Sequence, residues 1–290
     1  MLKRLVFSLI SFALLAGLSG CLALPHTPNA KTLQQVELPP QYVSHLSSAD
    51  AQALELYHVG RPDTHHAPRV QRNMVFVALD RTFQSYFDSD LKKIYHTQEE
   101  VRIEDLAWDV FAPELVGVYD QVLRISYNSF NANTLEAALD YMESQHQDYD
   151  LFLLTHGLPN NIMTTPGSPL LSWQEIDQWK GRFPSLDLVF MQSCYGSTLA
   201  PDWLQTGAKA VMSYPGLNRN FFYPMTLFKE LKKQTSTGVE RATDASRLSN
   251  QKVQSDIKRS GLDRFMIQGL GMSVQDYLNT APMPQLDHLN

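Results

Sequence analysis

The chain has 290 residues, of which 24 are Lys or Arg and 30 are Asp or Glu, so its formal net charge is −6. Its 43% apolar and 19% charged composition excludes disordered, collagen-like and multispanning membrane proteins. The mildly acidic balance argues against a nucleic-acid partner, and two cysteines are too few for a disulfide scaffold.

The first predicted element is a signal peptide over residues 1–20. Lys3 and Arg4 form its charged start, and Leu5 to Leu18 is a 14-residue run without a charge. That run is shorter than the roughly 20 residues that a membrane-spanning helix needs. The segment Leu18-Ser19-Gly20-Cys21 resembles the lipobox of bacterial lipoprotein precursors, in which the cysteine is lipidated and the signal is cut before it. An ordinary signal peptide with a chance cysteine is the alternative.

The lipobox resemblance implies a membrane anchor on Cys21 and a soluble body in the bacterial cell envelope. Leu22 follows Cys21, and the absence of Asp there favours the outer membrane, facing the periplasm, by resemblance to Gram-negative lipoproteins. Residues 21–70 are predicted to be a lipidated tether and an irregular approach segment, because six prolines interrupt them. One short helix is predicted within this segment, over Ser48 to Tyr57.

Residues 71–275 show an alternating α/β pattern. Apolar runs predict strands at 74–79, 122–127, 151–154, 186–191, 208–214 and 265–270. Amphipathic segments and capping residues predict helices from Asn133 to about 145, after Ser172, and over 221–234 and 239–258. This alternation predicts a mainly parallel sheet of about six strands, flanked by helices, with residues 276–290 as a C-terminal tail.

Two of the predicted strands lead into reactive side chains. The third runs into His156 and Gly157, and the fourth into Cys194, with Gly196 two residues further on. Carboxyl ends of parallel strands meet at one edge of a sheet, so both side chains are expected over the same rim. Imidazole is suited to activating a thiol near neutral pH, and a glycine lets backbone N–H groups approach an oxyanion closely. The pattern predicts a catalytic His/Cys dyad.

An apolar strand ending in His-Gly, followed by one ending in Gln192-Ser193-Cys194-Tyr195-Gly196, resembles the caspase-like (clan CD) cysteine peptidases. These include caspases, legumains, gingipains and CHAT-domain peptidases. The resemblance implies a three-layer caspase–haemoglobinase fold. It also implies that Cys194 is the nucleophile and His156 the general base and acid, with the backbone N–H groups of Gly157 and Cys194 forming the oxyanion hole.

The same resemblance indicates residues of the substrate pocket but does not decide which amino acid the pocket prefers before the scissile bond. Gln192 occupies a position that lines this pocket in caspases, and Arg81 lies near where caspases keep a pocket arginine. Those two residues favour an acidic residue before the scissile bond. Asp80 favours a basic residue instead.

The leading hypothesis is a membrane-anchored cysteine endopeptidase acting on a peptide or protein substrate. The alternative is a catalytically inactive peptidase-like lipoprotein that serves as a binding or scaffold module. An enzyme that is latent until cleaved within Gln234 to Thr243 is a third possibility. No Gly-x-Ser-x-Gly elbow and no phosphate-binding glycine loop is present. The histidines of the approach segment lack further ligands at fitting spacing, so neither a metal nor a cofactor is predicted.

Overall fold

Strands that are buried on both faces form the centre of the molecule. In the computed structural model these are β3 (Asn73–Ala78), β5 (Tyr149–Leu154) and β9 (Leu186–Met191), at the positions where the apolar runs predict them. Every residue of β9 is buried. Continuous apolar runs are typical of parallel strands that are covered on both sides.

The structure describes most of the predicted domain but not the N-terminus. The described residues are 33–59, 72–78, 108, 112, 115, 116, 118–126, 130–165, 168–216, 223–234, 236–259, 273, 275, 276 and 283–288. The predicted signal peptide, Cys21, Asp80, Arg81 and the strand predicted over 265–270 therefore lie outside the described residues.

The remaining strands have three to six residues. They are β1 (Leu33–Val36), β2 (Leu54–Val59), β4 (Gln121–Ile125), β6 (His156–Leu158), β7 (Asn161–Thr165), β8 (Ser168–Ser172), β10 (Ala210–Ser213) and β11 (Gln285–His288). Eight strands form one sheet in the order β1-β2-β4-β3-β5-β9-β10-β11, and β6, β7 and β8 form a separate antiparallel sheet.

The large sheet confirms the predicted fold class. Its five inner strands, from β4 to β10 in the spatial order, run parallel to their neighbours. The prediction of about six strands was too low, because β1, β2 and β11 extend the sheet with antiparallel pairings. Antiparallel edge strands on an otherwise parallel sheet are common in α/β proteins.

Helices cover both faces of this sheet. The helices are α1 (Pro40–Val43), α2 (Ser48–Gln52), α3 (Ala132–Ser144), α4 (Trp173–Asp177), α5 (Ala200–Thr206), α6 (Tyr223–Leu231) and α7 (Gly238–Arg259). One apolar core contains residues of α3, α4 and α5, and the other contains residues of α6 and α7. Within β3, Val75 and Val77 face the first core, whereas Met74 and Phe76 face the second. The three-layer arrangement is therefore confirmed.

Capping explains two helix starts. The helix predicted to begin at Asn133 starts at Ala132, because the Asn131 side chain accepts a 3.0 Å hydrogen bond from the Thr134 N–H. The Thr134 hydroxyl accepts one in turn from the Asn131 N–H at 3.0 Å. At α4 the predicted cap is confirmed, since the Ser172 N–H donates to the Glu175 carboxylate at 2.7 Å.

The helix predicted over Ser48 to Tyr57 was wrong in its second half. The helix ends at Gln52, and the following residues form β2, which pairs with β1 on one side and β4 on the other. Leu54 and Leu56 face one core, whereas Val59 faces the other. Burial on both faces and ladder hydrogen bonds on both edges outweigh the helix propensity of Leu and Glu.

A buried ionic cluster lies at the amino ends of the central strands. The Arg241 guanidinium, on the first turn of α7, donates to the Asp150 carboxylate at 2.7 Å, and the Tyr119 hydroxyl donates to the same carboxylate at 2.6 Å. Arg72 contacts Asp150 and Asp187, and these four charged side chains are at most 4% exposed. Two arginines and two aspartates balance each other, which is required when charges leave water. Arg241 also lies within the stretch from Gln234 to Thr243 considered for latency, so a cut from Gly238 onward would fall in α7 beside a buried ion pair.

The cluster changes the acidity of Asp187. Burial acts to raise the pKa of its carboxyl, but the charge and hydrogen bond of Arg72 oppose it, as do the charges of Lys209 and Arg241. The pKa of Asp187 therefore lies below its ordinary value of 3.8. Because the folded-state pKa is depressed, this stabilisation is present above about pH 3.8 and is lost as the pH falls through the folded pKa.

We expect the free energy of unfolding to fall as the pH is lowered from about 5 towards about 2. Asp187→Asn should cost about 3–5 kcal/mol at neutral pH, because it leaves a buried guanidinium uncompensated. The difference in the free energy of unfolding between wild type and variant should become smaller at low pH, as urea unfolding at several pH values would show. Asp140→Asn is the control: it breaks a pair with Arg182 whose side chains are 43% and 38% exposed, and should cost less than about 1 kcal/mol. A difference in the free energy of unfolding between wild type and Asp187→Asn that stays constant with pH would contradict this account of Asp187.

Candidate active site

The two strands that lead to His156 and Cys194 are neighbours in the sheet. β5 and β9 run parallel, with Leu153 opposite Met191. The pairing continues one step further, because the Gln192 N–H donates to the Leu153 carbonyl at 2.8 Å. His156 lies three residues after Leu153, and Cys194 lies three residues after Met191. The carboxyl ends of these two strands therefore present both segments at one edge of the sheet.

His156 begins a second, smaller sheet. It is the first residue of β6, which turns back into β7 through Pro159 and Asn160. Asn160 adopts a positive φ of 63°, a conformation that asparagine tolerates better than most residues. His156 itself is half-buried. A short antiparallel hairpin thus holds the histidine, rather than the end of the parallel strand as predicted.

The segment at Gly157 lies directly against the segment at Cys194. A Cβ atom built on Gly157 would lie 2.3 Å from the Cys194 carbonyl oxygen and 2.9 Å from the Ser193 Cβ atom. Contacts this short do not occur in real structures, so only glycine fits here. The close approach brings the backbones of Gly157 and Cys194, the two predicted oxyanion donors, next to each other.

A second glycine makes room on the other side of Ser193. A Cβ atom on Gly196 would lie 2.9 Å from the Ser193 hydroxyl oxygen. Ser193, which directly precedes Cys194, is 1% exposed and lies in contact with both glycines. The glycines of the His-Gly and Cys-Tyr-Gly motifs therefore serve the close packing of the two segments.

The loop after Cys194 is a tight turn from strand into helix. Tyr195 has a left-handed backbone, with φ of 58° and ψ of 20°, which is uncommon for a residue that is not glycine. Its N–H donates to the Gly216 carbonyl at 2.8 Å, and the Ser197 N–H donates to the Tyr214 carbonyl at 3.1 Å. The chain then enters a 3₁₀ helix over Gly196–Leu199 and continues into α5. Such a turn presents Cys194, which is half-buried, at the rim of the sheet.

The other predicted site residues are placed as follows. Gln192 is half-buried and lies directly after β9, two residues before Cys194. Asp80, Arg81 and Cys21 lie outside the described residues.

Sequence reasoning missed the small sheet that carries the histidine. The dipeptide Pro159-Asn160 is a turn signal between two short runs, and it was the local evidence for a hairpin. Sequence reasoning also missed Thr198, whose hydroxyl lies between the hairpin turn and the cysteine loop. Nothing local indicates that role, because the bond partner at residue 160 is 38 positions away.

Two further observations concern the described residues only. They contain no group of three or more His, Cys, Asp or Glu side chains arranged to hold a metal ion. None of their helices is long and apolar enough to cross a membrane.

No family model and no curated protein matches the chain. Among solved structures, it is similar to a secreted C11 cysteine protease from Bacteroides thetaiotaomicron, solved by X-ray in complex with an irreversible peptide inhibitor. The two share 11% identity and a TM-score of 0.35, over 64% of this chain and 60% of that chain. The matched region thus spans less than two thirds of that protease, and this likeness is too distant to assign an activity or the role of a residue.

Proposed function

We propose that this protein is a cysteine endopeptidase with Cys194 as nucleophile and His156 as general base and acid. The observation that carries the proposal is the close packing of the two segments at one edge of a parallel sheet. Neighbouring strands β5 and β9 lead to them, and the Gly157 backbone lies against the Cys194 carbonyl. A thiol and an imidazole in such neighbouring segments are the groups that covalent acyl transfer needs.

The proposed reaction has two steps. His156 takes the proton of the Cys194 thiol, and the thiolate attacks the carbonyl carbon of the peptide bond. The developing oxyanion accepts hydrogen bonds from the backbone N–H groups of Gly157 and Cys194, and the amine leaves with the proton that His156 returns. A water molecule, deprotonated by His156, then hydrolyses the thioester and frees the thiol.

The residue preferred before the scissile bond stays open in this proposal. Gln192 lies two residues before the nucleophile, which is compatible with a place in the substrate pocket. Arg81 in the pocket would favour an acidic residue there, whereas Asp80 would favour a basic one. The proposed partner is a peptide or protein substrate, with no role for nucleic acid.

The proposed location is the bacterial cell envelope, with a lipid anchor on Cys21. The support is the lipobox-like sequence at the end of the predicted signal, followed by Leu22 rather than Asp. Such an anchor would tether the enzyme to the outer membrane facing the periplasm, because multiple acyl chains give stable membrane binding.

The experiment that tests the proposal measures how fast Cys194 is alkylated at different pH values. We expect reaction with iodoacetamide to remain fast below about pH 7.5, since a paired imidazole stabilises the thiolate relative to an ordinary thiol with a pKa of about 8.5. A thiol-reactive peptide halomethyl ketone, whose halide leaves as the thioether forms, should label the same residue, as located by peptide mapping. An inactive scaffold would instead show slow alkylation that rises only above about pH 8, and this outcome would remove the proposed activity.

A further inference from the structure

The hydroxyl of Thr198 connects the two halves of the candidate site. It accepts a 2.7 Å hydrogen bond from the Asn160 N–H, in the turn of the hairpin that begins with His156. It also donates a 2.8 Å hydrogen bond to the Tyr195 carbonyl, in the loop that follows Cys194. A hydroxyl has one proton to donate and lone pairs to accept, so a single side chain satisfies both backbone groups.

Each of the two bonded backbone groups lies close to a proposed catalytic residue. Tyr195 directly follows Cys194, and its own N–H is held by the Gly216 carbonyl at 2.8 Å. Asn160 is four residues beyond His156 and closes the β6–β7 turn, and its carbonyl accepts from the Trp173 N–H at 3.2 Å. The hydroxyl is therefore bonded to two backbone segments that other contacts already restrain.

The bond to Asn160 is not required for the local helix. A threonine hydroxyl commonly donates to a carbonyl three residues earlier, and Thr206 does so to the Trp203 carbonyl at 2.7 Å. Thr198 makes that same local bond and adds a contact to a residue 38 positions away. The added contact is the one that ties the histidine hairpin to the cysteine loop.

We propose that Thr198 is a positioning residue that sets the placement of the His156 hairpin relative to the Cys194 loop, an inference that rests on the proposed function. Removal of the hydroxyl breaks the bond from the Asn160 N–H, whereas the Tyr195 carbonyl keeps the Thr198 N–H as a donor at 3.0 Å. The His156 hairpin then loses its hydrogen bond to the Cys194 loop and shifts relative to it. Small displacements of this kind reduce the rate of reaction between paired groups strongly.

The test compares Thr198→Val with Thr198→Ser in the full chain. Valine keeps the shape of threonine without the hydroxyl, whereas serine keeps the hydroxyl. We expect Thr198→Val to lower the rate of Cys194 alkylation by iodoacetamide at pH 6 by about tenfold and to shift its pH profile upward by about one unit. Thr198→Ser should restore the rate to within about twofold. Thr198→Ala, a second variant without the hydroxyl, should show the same shift as valine.

Thr206→Val is the matched control, because it removes the same kind of local bond in α5, away from the site. It should lower the melting temperature and leave the alkylation profile unchanged. An unchanged profile in Thr198→Val, or equal effects of the two valine variants, would overturn the positioning role while the proposed function stands. An ordinary thiol profile in the wild-type protein would remove the proposed function and the positioning role with it.

Discussion

Cys194→Ala is expected to reduce peptide hydrolysis by at least about a thousandfold and to abolish labelling by a thiol-reactive peptide halomethyl ketone. In the proposed mechanism the thiolate forms the acyl-enzyme, and no other cysteine lies among the described residues of the site. The measurement is turnover of a fluorogenic peptide library together with mass spectrometry of the labelled protein. Unchanged hydrolysis in this variant would contradict the assignment of the nucleophile.

Two further variants separate the roles within the proposed dyad. His156→Gln keeps a polar side chain but no group that accepts a proton near neutral pH, so its turnover should fall by about a hundredfold or more. Its labelling should become slow and should recover at high pH, where an ordinary thiol ionises. The double variant should be about as inactive as Cys194→Ala alone, because residues that act as a unit are not additive.

Gly157→Ala is expected to lower kcat/KM by about a hundredfold. The added Cβ atom would lie 2.3 Å from the Cys194 carbonyl oxygen, whereas ordinary contacts are 3.4 Å or more. The segments would have to separate by about 1 Å, and a displacement of that size at a reacting pair costs about a hundredfold. Steady-state kinetics and the rate of Cys194 labelling measure the change.

Gly207→Ala is the control for destabilisation alone. Its Cβ atom would meet the Phe183 backbone at 2.9 Å, and its φ of 116° is unfavourable for alanine, so the variant should be destabilised by about 1–3 kcal/mol. Gly207 precedes β10 and therefore lies near the amino end of that strand, whereas the candidate site lies at the carboxyl ends of β5 and β9. Per folded molecule, this variant should keep near wild-type activity. Equal activity losses in the two variants would show that Gly157 matters for the fold rather than for the site.

Signals confined to a few neighbouring residues predicted much of the fold. The apolar runs at β3, β5 and β9 are long enough to be recognised without knowing their partners, and the capping pair at Ser172 and Glu175 marks a helix start by itself. Where local signals conflicted, as at β2, the prediction was wrong. Leu and Glu favour a helix there, but burial on both faces and pairing on both edges favour a strand.

The sequence predicted the candidate site as a histidine and a cysteine that follow two strands. It did not predict the geometry that brings these two residues together. That β5 neighbours β9 depends on which strands pair across the whole sheet. The histidine hairpin, the contact of Ser193 with two glycines and the bridge through Thr198 depend on segments about 40 residues apart meeting in space. Such contacts produce no recognisable sequence pattern in either segment.

By itself the sequence determined the class of fold and the order of most elements, and it singled out the two candidate site residues, because apolar runs, caps and motifs are local properties of the chain. The tertiary structure decided which strands are neighbours, that residues 54–59 form a strand, and how closely Gly157 approaches Cys194. It also decided the buried ionic cluster, whose Arg72 and Asp187 are 115 positions apart. These features follow from the free energy of packing and pairing between distant segments, which only the folded chain brings together.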